Sequence, residues 1–177
     1  PAAIPAGSTA LEAACAPPAP PAIVWHTADL YAIADKRYLW SPPPMGDWFG
    51  SSTTKPSTPQ WVLEATSPTA VNPYRAEVRM RAAGTQNYLK AAAEKGKPSY
   101  VTDPNDATAW MLTWEGGELT NATAVTIYQH ELPDKWVTHR VYGGYLDSNL
   151  WSNNGGKGAY SWGTSEGNLA WRVIVAD

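Results

Sequence analysis

The chain has 177 residues, enough for one domain with a real core, and 44% of them are hydrophobic. Charged residues make up only 16% and the net charge is −3. That balance excludes a phosphate-neutralising nucleic-acid binder and a polybasic membrane anchor. No apolar run approaches the roughly 18 residues that a transmembrane segment requires. There are 10 Trp and 9 Tyr beside a single Phe. Core filling alone does not favour Trp and Tyr over Phe so heavily, because both carry an apolar face and a polar tip suited to half-wet surfaces.

Residues 1–22 read as a Pro/Ala-rich tail. Residues 10–16 have the composition for a turn or two of helix, but Pro17 stops it, and the Pro run that follows favours extended polyproline conformation. The lone cysteine, Cys15, lies in this tail and has no internal partner, so the core holds the fold without covalent staples. The chain begins at Pro1 rather than Met, and Asn121-Ala122-Thr123 is a glycosylation acceptor triplet. With the low charge and the Pro, Thr and Ser content, these features point to a secreted, extracellular glycoprotein modified at Asn121.

Residues 23–177 form the expected domain. Its texture is short β-favouring segments separated by turn residues such as Pro42-Pro43-Pro44, Asp103-Pro104-Asn105, Gly116-Gly117 and Asn153-Asn154-Gly155-Gly156. Residues 76–81 alternate cleanly, so Val78 and Met80 should face inward while Glu77, Arg79 and Arg81 face outward. The best helix-forming stretch, residues 88–95, is stopped by Gly96 and Pro98 and is read as a loop with one helical turn at most. The expected class is therefore all-β.

A pattern recurs three times. Tyr38-Leu39 is followed by Trp48-Phe49 and then Trp61-Val62-Leu63. Tyr88-Leu89 is followed by Tyr100-Val101 and Trp110-Met111-Leu112, and Tyr145-Leu146 by Tyr160, Trp162 and Trp171-Arg172-Val173. The spacing from the Tyr to the closing Trp is 23, 22 and 26 residues. An alternating stretch precedes each copy at residues 31–33, 78–80 and 125–127. Repeats of this size define units, here about 30–65, 75–114 and 124–176, with four apolar segments each. The three closing Trp and the three opening Tyr are expected in the core. The first and last segments should pair and leave no free edge.

Three four-strand units with pseudo-threefold symmetry resemble a β-trefoil. The Tyr-Leu-Asp opening and the closing Trp strand resemble the repeats of the ricin-B-type lectins, in outline over residues 30–176. In that family an intact sugar site has an acidic residue after the first core strand, an aromatic on a loop and an Asn before the closing Gln-x-Trp. By that resemblance unit three carries the site: Asp147, the aromatics Trp151, Tyr160 and Trp162, and Asn168 three residues before Trp171, with Asn153 in the same Gly-rich loop. Leu169 stands where the Gln would be, and the family disulfides are absent. Unit two has Lys90 and Ala107 at the corresponding places and unit one has Trp40 and Thr58, so both have lost the site. The chemistry suits a sugar: an aromatic face covers the C–H face, and Asp and Asn bond the hydroxyl rim. The implied partner is a carbohydrate or glycoprotein.

A second aromatic group, Trp40, Trp48 and Phe49, flanks a Pro-stiffened loop and offers a second contact surface for a polysaccharide or a protein. The alternative reading is a protein-binding trefoil, a protease inhibitor or a secreted effector, working through residues 41–59 or 129–143. Catalysis has little support. His26, His130 and His139 show no metal-ligand spacing, and His130-Glu131 with Asp134 is the only acid–base-like cluster. A glycoside hydrolase would need two acids across a cleft, for which Asp147 and Glu166 are the candidates. No cofactor or metal is implied.

Overall fold

The computed structural model describes residues 21–34, 36–41, 51–91, 98–129, 145–147, 160–162 and 170–176. No helix occurs among them, and the fold is all-β. Among the described residues thirteen strands follow in chain order: β1 (Ile23–Ala32), β2 (Arg37–Leu39), β3 (Ser51–Ser52), β4 (Trp61–Ala65), β5 (Val71–Asn72), β6 (Arg75–Ala82), β7 (Tyr88–Lys90), β8 (Ser99–Val101), β9 (Trp110–Trp114), β10 (Val125–Gln129), β11 (Tyr145–Asp147), β12 (Tyr160–Trp162) and β13 (Ala170–Val175). All belong to one antiparallel sheet.

Six of these strands pair in a cycle: β1 with β4, β4 with β6, β6 with β9, β9 with β10, β10 with β13, and β13 back to β1. The first and last strands therefore meet, Ala28 opposite Val175 and Ala32 opposite Trp171. A short hairpin hangs from every second member of the cycle: β2–β3 from β1, β7–β8 from β6, and β11–β12 from β10.

Register makes the repeat quantitative. Tyr38 pairs with Tyr31, Tyr88 with Arg81 and Tyr145 with Tyr128, which fixes the equivalent positions in β1, β6 and β10. Counting from there, the inward residues fall into triplets: Ala28, Val78 and Val125; Leu30, Met80 and Ile127; Leu39, Leu89 and Leu146; Trp61, Trp110 and Trp171; Leu63, Leu112 and Val173. None of these fifteen is more than 2% exposed. The alternation expected of residues 76–81 holds, with Ala76, Val78, Met80 and Ala82 buried between half-buried Glu77, Arg79 and Arg81.

Each closing Trp makes one further contact. Its indole Nε1–H donates to the carbonyl of the unit's Leu: Trp61 to Leu39 at 3.1 Å, Trp110 to Leu89 at 3.3 Å, Trp171 to Leu146 at 2.8 Å. A buried indole needs an acceptor, and a buried carbonyl needs a donor. One bond settles both and ties each hairpin to the cyclic strands.

Several expectations are corrected. The third segment of the first unit is Ser51–Ser52, with Tyr38 opposite Ser52 and Leu39 opposite Ser51. Trp48 and Phe49, assigned that role from sequence, lie outside the described residues. The first unit's leading strand starts at Ile23 rather than near Leu30. A bulge at Trp25, between the pairs Val24–Glu64 and His26–Leu63, hid its alternation. β5 is an added strand outside the four-segment scheme. It folds back on Arg75 and Ala76 over a turn in which Asn72 Oδ1 accepts from the amides of Tyr74 and Arg75.

Tyr38 is half-buried rather than in the core, its ring 4.9 Å from that of Tyr31. Its counterpart Tyr88 is buried, and its hydroxyl donates to Glu64 Oε2 at 3.0 Å across the neighbouring strand. The place equivalent to Glu64 beside the first unit is Ile174, which offers no acceptor. Residues 1–20 of the tail, with Cys15, and residues 92–97 of the expected loop lie outside the described residues.

Candidate functional site

The third hairpin is where the sequence points. β11 and β12 pair Tyr145 with Trp162, Leu146 with Ser161, and Asp147 with Tyr160. Strand alternation sets positions 145, 147, 160 and 162 on one face of this ribbon. Leu146 is fully buried on the other. The positions of Asp147, Tyr160 and Trp162 therefore share one face of the ribbon. The bond from Trp171 Nε1 to the Leu146 carbonyl, the shortest of the three clasps, fixes this ribbon against β13 immediately before Asp147.

The other two hairpins lack this combination. Lys90 and Trp40 stand at the step of Asp147, and Ser99–Val101 and Ser51–Ser52 stand where β12 has Tyr160–Trp162. Trp151, Asn153, Asn168, Glu166 and the cluster of His130, Glu131 and Asp134 lie outside the described residues. So does His139.

At the first hairpin Trp40 is 43% exposed. Behind it, Ser41 Oγ donates to Gln60 Oε1 at 3.4 Å, and the Gln60 amide N–H donates to Asp29 Oδ1 at 3.1 Å. Asp29 is buried. Desolvation raises its pKa above the usual carboxylate value, opposed by the Gln60 amide and the charge of Lys55. This carboxylate holds the entry to β4; it does not face solvent as a ligand group.

Asn121 lies in an exposed turn between β9 and β10, and its Oδ1 accepts from the Val175 amide at 2.9 Å. Its Nδ2, the atom a glycan would use, is left outside that bond.

Sequence reasoning missed the buried polar groups. Glu64 accepts from Arg81 Nε at 2.7 Å and from Tyr88, and Arg81 Nη1 donates to the Thr85 carbonyl at 2.9 Å. Burial, then the Glu64 hydrogen bond and charge, push the Tyr88 hydroxyl pKa up. The only signal for this cluster was the unusual acid in an otherwise apolar closing strand, Trp-Val-Leu-Glu-Ala. Among the described residues no group of three or more His, Cys, Asp or Glu could hold a metal ion, and no helix is long and apolar enough to cross a membrane. No protein-family model, curated protein or solved structure matches the chain.

Proposed function

We propose that the chain is a β-trefoil and that it binds carbohydrate through its third unit. The fold reading rests on the cycle of six paired strands with a hairpin on every second one, and on the three equivalent indole-to-carbonyl bonds. The observation that carries the binding reading is the register of β11 against β12, Asp147 opposite Tyr160 with Trp162 two steps on. An acceptor beside aromatic positions is what a sugar needs: ring stacking on its C–H face and directed bonds to its hydroxyls. Asp147, Trp151, Asn153, Tyr160, Trp162 and Asn168 make up the proposed site. Secretion, and glycosylation at Asn121, belong to the same reading; the exposed turn at Asn121 suits an attached glycan.

A glycan array, followed by titration calorimetry on the best ligand, tests it. Asp147→Ala removes a charged hydrogen bond worth about 1.5–3 kcal/mol. It should lower affinity roughly ten- to a hundredfold. Absence of binding to every glycan and insoluble polysaccharide contradicts the reading.

A second reading has one observation in its favour. Trp40, 43% exposed beside the first hairpin, is an aromatic anchor of the kind that protein interfaces use. In this reading Trp40, with Trp48 and Phe49, contacts a protein such as a protease, and inhibition assays with Trp40→Ala as control test it.

A further inference from the structure

The three copies of the strand pattern meet along three seams: β4 with β6, β9 with β10, and β13 with β1. Register sets one outward pair at the same level in each: Glu64 with Arg79, Thr113 with Thr126, and Ile174 with Asp29. Two of these pairs hold a carboxylate that is already engaged, Glu64 by Arg81 and Tyr88, and Asp29 by the Gln60 amide. The remaining pair is two threonines, whose hydroxyls bond each other at 2.6 Å. Beside this pair lies a groove of about 650 Å³, lined by Thr113, Glu115, Thr123, Ala124, Thr126 and Ala170 among others.

Hydrogen bonds fix both rims of the groove. On one side Trp114 stacks on Trp25 and its indole Nε1–H donates to the Gly117 carbonyl at 3.1 Å. Glu115 therefore sits in a closed turn, in which Gly116 and Gly117 adopt φ of 57° and 85°, a region that favours glycine. On the other side the Thr120 amide donates to Thr123 Oγ1 at 2.9 Å, and the Thr123 amide donates to the Thr120 carbonyl at 3.0 Å. Asn121 Oδ1 ties the same turn to the Val175 amide. A site whose walls are already ordered loses less free energy to ordering when it binds.

The lining has a definite chemistry. The volume falls within the range of small-molecule sites, about 300–1,000 Å³. Two hydroxyls that share one bond keep one proton and several lone pairs for a ligand. Exposed Glu115 adds a carboxylate acceptor. Ala124, Ala170 and the threonine methyl groups set small apolar contacts among these polar atoms. None of the described lining residues is a cation, so an anion finds no counter-charge among them. Hydroxyl, methyl and acceptor side by side suit a neutral molecule with hydroxyls around a C–H frame.

We propose that this groove is a separate seat for a neutral sugar of monosaccharide size, read by the Thr113–Thr126 hydroxyl pair and by Glu115. It shares no residue with the proposed third-unit site.

The test is methyl NMR on the full chain with labelled alanine and threonine, titrated with a panel of neutral hexoses, pentoses and N-acetylhexosamines. The methyl signals of Thr113, Thr126, Ala124 and Ala170 should shift together and saturate with one Kd for at least one sugar. Thr113→Val with Thr126→Val keeps the shape and removes both hydroxyls at once, which is close to neutral for folding. Read on Ala124 and Ala170, it should weaken binding roughly tenfold, and Glu115→Gln roughly three- to tenfold. Near-ultraviolet circular dichroism confirms that the variants are folded. Asp147→Ala should leave the shifts and their Kd unchanged. Groove methyl groups that stay put across the panel, a Kd unmoved in the folded double valine variant, or shifts that vanish in Asp147→Ala overturn the proposal. Binding that Asp147→Ala weakens while the groove methyl groups stay put refutes the groove alone. Saturating groove shifts in a chain whose sugar binding never responds to Asp147→Ala refute the third-unit site alone.

Discussion

His26 sits at the end of the core, after the β1 bulge, with its ring centroid 4.5 Å from that of Trp25, whose indole stacks on Trp114 at 6.2 Å. Burial lowers its pKa from 6.5. The unfolded chain therefore binds this proton more tightly than the folded one, so stability rises with pH across the window between the folded value and 6.5. Its neutral form is fully compatible with the fold above that window, and stability is lost as pH falls through it. Urea denaturation of wild type and His26→Gln from pH 7.5 to 4.5 should show a steeper loss for wild type below 6.5, and parallel curves contradict this. Asp29 has the opposite sign. Its raised pKa means that its contribution is greatest below 3.8 and is lost as pH rises through the folded value.

Glu64 is the residue-scale case with most at stake. Its carboxylate is 4% exposed and Arg81 is 19% exposed, so removing the acid strands a largely buried cation. Glu64→Ala should cost about 3 kcal/mol, at the low end for a broken buried pair because Arg81 retains some solvent and the Thr85 carbonyl. Tyr88→Phe, which deletes only one bond to the same carboxylate, should cost about 1 kcal/mol. Chemical denaturation of the two single variants and the double measures the coupling, and independent effects would show that the cluster does not act as a unit.

At the scale of elements, the clasp between closing Trp and hairpin Leu is the recurring device. Replacing Trp110 by Phe keeps most of the apolar bulk but leaves the Leu89 carbonyl buried without its donor. The expected loss is about 1–3 kcal/mol. Trp110→Ala adds a cavity and should cost about 3–5 kcal/mol. Thermal denaturation of the two variants separates the hydrogen bond from the volume; equal losses would deny the bond a role.

These elements were legible in the sequence to unequal degrees. Tyr-Leu and Trp-x-Leu recur because the clasp and the inward triplets require a large aromatic and a branched aliphatic at fixed offsets. β6 was readable because one face is buried and the other half-wet. β3 was not, because two serines paired by backbone alone leave no apolar signature, and the neighbouring Trp48-Phe49 drew the assignment. β1 was read short because the bulge at Trp25 breaks its period. Of the candidate site, the sequence located Asp147, Tyr160 and Trp162 on one hairpin, since their offsets follow the same repeat.

At the scale of the molecule, the three copies of the recurring strand pattern contribute to one core and differ at their outer positions. The five inward triplets are near-equivalent, while the outer positions hold a charged cluster in one seam, a threonine pair in the next and Ile174 with Asp29 in the third. Stability lives in the repeated interior, and individuality in the hairpin faces and seams. The interior triplets join residues far apart in sequence, so loss of any one clasp should weaken the whole domain rather than one unit.

Hydrogen exchange of the indole N–H groups, followed by NMR on chain with labelled tryptophan, tests that interior most directly. The indoles of Trp61, Trp110 and Trp171 should all exchange only through global unfolding, with a common free energy equal to that from denaturant, while the exposed Trp40 exchanges freely. Exchange of any one of the three at the rate of Trp40 would contradict a threefold clasped core.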